Sequence, residues 1–456
     1  MIKFLPLGGA DEIGASCFYL NIDDTGILLD CGIHPRNFGF DALPKFEQLE
    51  NLPLDFVFIS HAHQDHIGSL PFLIQRFPHV IIYSTVQTKE ISELTLHNAA
   101  NILAARQIEG TDFKVYTHEE IDLLVRSIHG INYEEKIELR GLRHSSSAPI
   151  GFTLRDAGHI LGSAGILIEY CGEKIFYTGD VNLGDQSIMI GADLKGIQSI
   201  NTLILESTYG GTDSEKLGTW KSEEARFAKA ANRILHKDGS ILIPVFALGK
   251  TQELLTSIYV MMKSGILTET NIYTGGISRD ISRVYDYNRY LVRRSDPNLE
   301  LKEISQLDLL DVEDYNTFKK NPGIVLASSG MMLQGTTSYR LLDFWLRQDS
   351  FAIFGVGYMD PETPGFKVVN SKRGDTIQLS EFSSSFKVNC MIQKFYFSSH
   401  SKREELLRVV DKTKPEKVVL IHGEHHAKDW LGFNILKNFP LTRLYSAELL
   451  KEIVIN

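Results

Sequence analysis

Apolar residues along this chain fall into short runs of strand length, alternating with stretches that are polar and apolar at helical spacing. The opening is strand-like. Met1–Leu7, Ser16–Asn21 and Gly26–Leu29 are apolar runs parted by Gly- and Asp-rich turns, which predicts hairpins. Leu54–Ile59 is rich in β-branched and aromatic residues and reads as a buried strand, and Gln87–Gln107 reads as a helix. Gly165–Tyr170 and Lys174–Tyr177 flank Cys171-Gly172-Glu173 as a further hairpin, and Thr202–Leu205 is another strand. After Tyr209-Gly210-Gly211 the style changes. Helices at Ser222–His236 and Thr251–Lys263 alternate with strands at Ser240–Val245, Asn271–Tyr273, Ile324–Ala327 and Phe351–Gly355, the pattern of an inserted parallel-sheet domain. The end returns to short strands, Lys394–Phe397 and Lys417–Ile421, with a helix at Ser401–Asp411. The class is α/β.

Five of these strand-like runs stop at a histidine or an acid. Leu54–Ile59 leads into His61, Lys174–Tyr177 into Asp180, Thr202–Leu205 into Glu206, Lys394–Phe397 into His400, and Lys417–Ile421 into His422. Ligands of open α/β sheets bind beyond the carboxyl ends of strands, so the five are expected to converge at one edge of a sheet.

Composition narrows the class. The chain has 456 residues, 43% hydrophobic and 23% charged, ordinary for a globular protein of two or three domains. Cys17, Cys31, Cys171 and Cys390 are scattered and form no C-x-x-C pair, which argues against a thiolate zinc site and a disulfide framework and fits a reducing compartment. There is no signal-like h-region and no apolar run near the ~20 residues that cross a bilayer, so a cytoplasmic protein without membrane contact is expected. A net charge of −10 excludes non-specific coating of nucleic acid. A nucleic-acid substrate would need a local basic groove or a cationic metal site that meets the phosphate.

The stretch His61-Ala62-His63-Gln64-Asp65-His66 carries the strongest chemistry, because a solvated loop has no reason to cluster three imidazoles and a carboxylate. His61 and His63, at alternate positions, suit one metal, and Asp65 and His66 can turn towards a second. Nitrogen ligands with few carboxylates and no thiolate suit zinc, with manganese or iron as alternatives. His159 lies in Ala157-Gly158-His159-Ile160-Leu161-Gly162, where flanking glycines would let the backbone approach a metal site, although alone it reads as a structural histidine. Asp180 suits a turn or a bridge between two cations, and His422 would complete the second metal, with His425 and His426 as exposed bystanders.

Asp30 in Leu28-Leu29-Asp30-Cys31-Gly32, the His61–His66 run, His159 and Asp180 together resemble the metallo-β-lactamase superfamily. Glu206-Ser207-Thr208-Tyr209-Gly210, the run from Ile243 to Leu254, Ala327-Ser328-Ser329-Gly330, Phe397-Ser398-Ser399-His400 and Leu420-Ile421-His422-Gly423-Glu424 narrow the resemblance to β-CASP nucleases. The branch they resemble holds the cleavage and polyadenylation factor endonuclease and its prokaryotic homologues, and the likeness spans nearly the whole chain. The resemblance implies an αββα metallo-β-lactamase sandwich from residues 1–208 and 396–456, with a β-CASP domain at 209–395 inserted as a lid and RNA entering between them. It implies two Zn2+ per chain (Mn2+ as the alternative), one on His61, His63 and His159, the other on Asp65, His66 and His422, with Asp180 bridging and Asp30 orienting an imidazole. Such a pair of ions supplies the nucleophile, Asp65 is essential to it, and His400, held and charged by Glu206, protonates the leaving ribose oxygen. Lys250, Ser328 and Ser329 are expected to contact the RNA phosphates.

The expected function is hydrolysis of phosphodiester bonds in single-stranded RNA, endonucleolytic and also 5′-to-3′ exonucleolytic, in processing or decay. A homodimer is left open. His422 favours the RNA branch, since DNA-repair relatives usually carry an apolar residue there. Neither an N-terminal KH-type region nor the C-terminal domain of ribonuclease J relatives is visible, so a minimal two-domain enzyme is expected. Arginines at 279, 283, 289, 293 and 294 alternate with Tyr285, Tyr287 and Tyr290, which suits either a stacking surface for a single strand or a solvated amphipathic helix. A DNA nuclease, a small-molecule hydrolase such as a thioesterase, and a non-catalytic scaffold are the competing readings. The Glu206–His400 pair argues against the second, and the complete ligand set against the third.

Overall fold

The computed structural model of this chain describes residues 1–106, 113–143, 148–379 and 385–455. The chain divides into two compact units: Met1–Leu183 with Gly191–Lys216 and His400–Asn456, and Gly184–Ile190 with Leu217–Ser399.

The first unit has four layers. One sheet runs in the order Ile453–Val454, Ile2–Gly8, Cys17–Ile22, Thr25–Leu29, Phe56–Phe58, Ile81–Thr85, His129–Ile131. The other runs Arg443–Ser446, Lys417–Ile421, Thr202–Glu206, Glu173–Tyr177, Ala164–Tyr170, Ile150–Asp156, Lys136–Leu139. Their inner faces share one core, in which Phe4, Phe18 and Phe58 of the first sheet meet Phe152, Ile166 and Tyr177 of the second. Phe58 stacks on Phe152 with ring centroids 4.4 Å apart. Helices Leu70–Arg76, Val86–Arg106 and His118–Ser127 cover the outer face of the first sheet, and Arg403–Thr413 and His425–Asn438 cover the second. Central strands such as Thr25–Leu29 and Thr202–Glu206 are therefore buried on both faces and read as continuous apolar runs.

The second unit carries an all-parallel sheet ordered Leu307–Asp308, Asn271–Thr274, Gly323–Ala327, Ile241–Pro244, Ala352–Val356, Met391–Phe395. Helix Trp220–Leu235 starts at Thr219, whose hydroxyl accepts from the Ser222 amide. Among the described residues no helix is long and apolar enough to cross a membrane.

Several expectations shift. The units divide at Lys216/Leu217 and Ser399/His400 rather than at 208/209 and 395/396, and residues 184–190 join the second unit. The last shift has a cause. Buried Glu253 accepts the amides of Ile188 and Met189, and the Ser295 amide donates to the Ile188 carbonyl. The five strand ends do not form one sheet edge. Phe56–Phe58 belongs to the first sheet, three others to the facing sheet, and Met391–Phe395, expected at Lys394–Phe397, to the sheet of the second unit. Gln107, the expected end of a helix observed as Val86–Arg106, lies outside the described residues.

Phe152→Ala removes half of the inter-sheet stack and is expected to lower the unfolding free energy by about 3–5 kcal/mol, read by denaturant unfolding with a core-specific probe.

Candidate metal centre

The run from His61 to His66 follows strand Phe56–Phe58 and is tied to the chain segments just before Cys17–Ile22 and just after Thr25–Leu29. The amides of Ser16, Cys31 and Ile33 donate to the carbonyls of Asp65, His66 and Gln64 at 2.8, 2.7 and 2.9 Å. Gly32 is what allows this approach, since a Cβ there would lie 1.7 Å from the Asp65 carbonyl oxygen. The run is divided by the start of the short helix Gln64–Ile67, with His63 as the residue before it.

Two clusters of donor atoms result, both inside the first unit. In one, His63 Nδ1 lies 3.0 Å from His61 Nε2 and 3.2 Å from His159 Nε2. Asp180 Oδ2 is 3.7 Å from each of those Nε2 atoms. In the other, Asp65 Oδ2 is 3.7 Å from His66 Nε2 and 3.5 Å from His422 Nε2. The second oxygen of Asp180, Oδ1, is 3.4 Å from His66 Nε2. Donors around a tetrahedral zinc with bonds of about 2.0–2.1 Å stand roughly 3.3–3.4 Å apart, inside the range seen here.

His66 Nε2, His422 Nε2 and Asp180 Oδ1 are buried and have no hydrogen-bond partner. Leaving three polar atoms in that state costs free energy that a shared cation would remove. The donors are imidazole nitrogens and carboxylate oxygens, and they fit divalent metal ions.

The imidazoles are oriented from behind. Asp30 is fully buried, and its Oδ2 accepts from Ser60 Oγ at 2.7 Å, His66 Nδ1 at 2.8 Å and Tyr177 OH at 2.5 Å. Its Oδ1 takes the Ser60 amide at 2.6 Å. The Ser60 hydroxyl also lies 3.0 Å from His61 Nδ1, so one carboxylate sets a ring in each cluster. Thr208 Oγ1 is 3.2 Å from His422 Nδ1. Asp30 and His422 both take positive φ, +61° and +49°, a conformation side chains other than glycine seldom adopt. Ser60, Tyr177 and Thr208 were not singled out in the sequence. Their signal was position, since each is a hydroxyl residue one to three places from a chemistry-bearing histidine or acid.

Glu206 is fully buried at the end of its strand. It accepts the amides of Val181 and Thr208 at 3.0 Å each and lies 3.2 Å from His400 Nδ1. Burial pushes its carboxyl up, but His400 and the hydrogen bonds outweigh it and the net direction is down. His400 stands at the rim of the first cluster, its Nδ1 3.9 Å from Asp180 Oδ2 and its side chain 16% exposed.

Metal-free, the two clusters hold protons differently. Burial and the neighbouring imidazoles push His61 well below the ordinary histidine value. Burial also works against a charged His66, but Asp180, Asp65 and Asp30 overcome it and push that imidazole up to about 10. Burial pushes Asp65 up, and His66 and His422 more than reverse it.

The residues expected to contact RNA phosphates, Lys250, Ser328 and Ser329, all belong to the second unit. Lys250 is buried in the second unit, where its ammonium donates to the Phe397 carbonyl and sits 5.1 Å from the centre of the Trp220 ring. It faces protein and not solvent. Ser328 and Ser329 are half-buried. Their carbonyls accept from Ser338 at 2.8 and 2.7 Å, and Ser329 Oγ takes the Leu333 amide. The arginine–tyrosine segment does not form one basic face. Arg279, Arg283 and Arg289 pair with Asp308, Asp280 and Glu300, while Arg294 and Tyr285 are buried. Gly158 and Gly162 do approach other backbone closely, but against Ala192 and Thr88 and not against the donors. His425 and His426 are exposed.

Comparison with known proteins agrees with this geometry. Residues 19–208 match the family model described as a metallo-beta-lactamase superfamily domain, 251–368 a Beta-Casp domain, and 385–440 a Zn-dependent metallo-hydrolase RNA specificity domain. An RNase J-like protein of Methanocaldococcus jannaschii is 30% identical over 436 residues, 95% of either chain. Cleavage and polyadenylation specificity factor 73 of Drosophila melanogaster is 31% identical over 96% of this chain, and the Endoribonuclease YSH1 of Saccharomyces cerevisiae 28% over 96%. This chain spans only 62% and 56% of the length of those two. A solved protein of unknown function from Enterococcus faecalis, 14% identical, shares the fold over 99% of both chains with a TM-score of 0.58.

A cation entering the second cluster must displace the proton that His66 carries at neutral pH, whereas His61 carries none. Metal binding is therefore expected to release protons, and affinity to rise with pH up to about 10. Titration calorimetry in buffers of different ionisation enthalpy checks this. Uptake at pH 7 with no proton release would contradict it.

Proposed function

We propose, from the premise that this chain belongs to the β-CASP branch of the metallo-β-lactamase superfamily, that it hydrolyses phosphodiester bonds in single-stranded RNA with two zinc ions. One ion is held by His61, His63 and His159 and the other by Asp65, His66 and His422, with manganese as the alternative metal. Asp180 offers one oxygen to each set. Ions bound there supply Lewis acidity towards a phosphoryl oxygen and a nucleophile near neutral pH.

The observation that carries a nuclease reading is the His400–Glu206 pair beside the shared carboxylate. A leaving ribose oxygen needs a proton, and an imidazole at the rim of the cluster stands where it can deliver one. Glu206 keeps its negative charge despite full burial, so it stabilises the charged form of His400 and fixes the ring through Nδ1. Asp30, Ser60 and Tyr177 hold the ligand rings so that little reorganisation is needed as charge develops. RNA as substrate is supported by the RNA specificity domain at 385–440 and by the ribonuclease names of the relatives. The cuts are internal, with 5′-to-3′ trimming as a further action, in RNA processing or decay.

His400→Ala is expected to slow RNA cleavage by roughly 10²–10⁴ while leaving metal content unchanged. Loss of metal instead would make His400 a ligand and remove the acid from the account. With matched end-labelled RNA and DNA oligonucleotides, RNA is expected to be cut faster. Equal or faster cleavage of DNA would overturn the substrate assignment.

A further inference from the structure

A second group of metal-ligating side chains lies outside the centre described above. Helices Val86–Arg106 and His118–Ser127 are buried against each other and the first sheet through Leu96, Ala100, Ile121, Leu124 and Val125. At their accessible rim each helix presents two polar residues one turn apart, Glu93 and His97 on one, His118 and Asp122 on the other. Thr117 caps the second helix with its hydroxyl and the Glu120 carboxylate, which fixes where His118 begins it.

The hydrogen bonds of this group leave one position short of positive charge. Asn101 Oδ1 lies 3.2 Å from His118 Nε2, so that nitrogen carries the proton. With both rings neutral, His118 Nδ1 is then a lone pair that accepts from His97 Nδ1 at 2.6 Å. That assigns the His97 proton to Nδ1 and leaves Nε2 as a lone pair, 3.0 Å from Asp122 Oδ1. A ligand atom of Glu93 lies within 4.8 Å of those of both His97 and Asp122. A lone pair facing the Asp122 carboxylate, with the Glu93 carboxylate within reach, is repulsive until a cation stands between them. A proton would serve one carboxylate, whereas a divalent ion serves both.

We propose that Glu93, His97 and Asp122 bind a divalent transition cation of the zinc type, with His118 and Asn101 fixing the tautomer of the ligating imidazole. The ligand set is one imidazole and two carboxylates, which leaves coordination positions for water and suits zinc or cobalt better than calcium. A metal-bound imidazole that passes its other N–H to an acceptor is the usual arrangement, and His118 is that acceptor. The ion ties two helices through their side chains and contributes to stability by binding only the folded pair. It takes no part in the chemistry at the first centre.

The test is metal stoichiometry at micromolar free zinc or cobalt, with chelator competition, on the full chain and on His97→Gln and Asp122→Asn. The full chain is expected to bind one equivalent more than either variant, and all three to cleave RNA at the same rate. The difference of one equivalent is the readout, so it stands or falls independently of how many ions the first centre holds. Added zinc is also expected to raise the thermal midpoint of the full chain by more than that of either variant. Equal stoichiometry in all three proteins, or an extra equivalent that persists in both variants, would overturn the proposal and leave the cluster as a protonated hydrogen-bond network.

Discussion

Asp180 is the constraint around which the first unit is arranged. One oxygen of this buried carboxylate faces His61 and His159, and the other faces His66. Without a positive charge on each side, its Oδ1 and the Nε2 atoms of His66 and His422 are left buried without partners. In the metal-free state Asp180, Asp65 and Asp30 push the His66 imidazole up, which answers that demand on one side only. Divalent metal bound between the donor sets would answer it on both. The same carboxylate also sits 3.9 Å from His400 Nδ1, so the group that joins the donor clusters also neighbours the imidazole proposed as proton donor.

The fold supplies the geometry through the ends of strands in two facing sheets. The first sheet contributes the His61–His66 run beyond Phe56–Phe58 and Asp30 beyond Thr25–Leu29. The second contributes Asp180, Glu206 and His422 from three neighbouring parallel strands. Because Phe58, Phe152 and Tyr177 share the core between the sheets, packing one sheet on the other also sets the distance between the two groups of donors. Tyr177 makes the link explicit, since it belongs to that core and donates from the second sheet to Asp30 of the first. Site and core are thus one construction, and strain at the positive φ of Asp30 and His422 is held by it.

Much of this was legible in the sequence, for physical reasons that vary by residue. The His61–His66 run was visible because a solvated loop has no reason to gather three imidazoles and a carboxylate within six residues, and the strand-end positions of Asp180, Glu206 and His422 followed from apolar runs that stop abruptly. Which sheet each strand joins was not visible, because a buried strand has the same apolar pattern in any sheet, and so one edge was expected where two facing sheets share the work. Burial of Lys250 was hidden for a similar reason. A lysine after a glycine at a helix start shows only its charge in the sequence, and only the tertiary structure brings Phe397 and Trp220 around its ammonium. The arginine-rich segment looked basic because its partners Asp308 and Glu300 are distant in sequence from Arg279 and Arg289. Ser60, Tyr177 and Thr208 carry hydroxyls, which occur everywhere, and their roles appear only through their partners.

The most direct test of the central claim is metal content measured together with RNA cleavage in Asp180→Asn. If one carboxylate serves both donor clusters, the amide keeps the shape but loses the charge and one of its two acceptor oxygens, so metal content falls relative to the unaltered chain and cleavage is lost. Unchanged metal content with undiminished cleavage would contradict it.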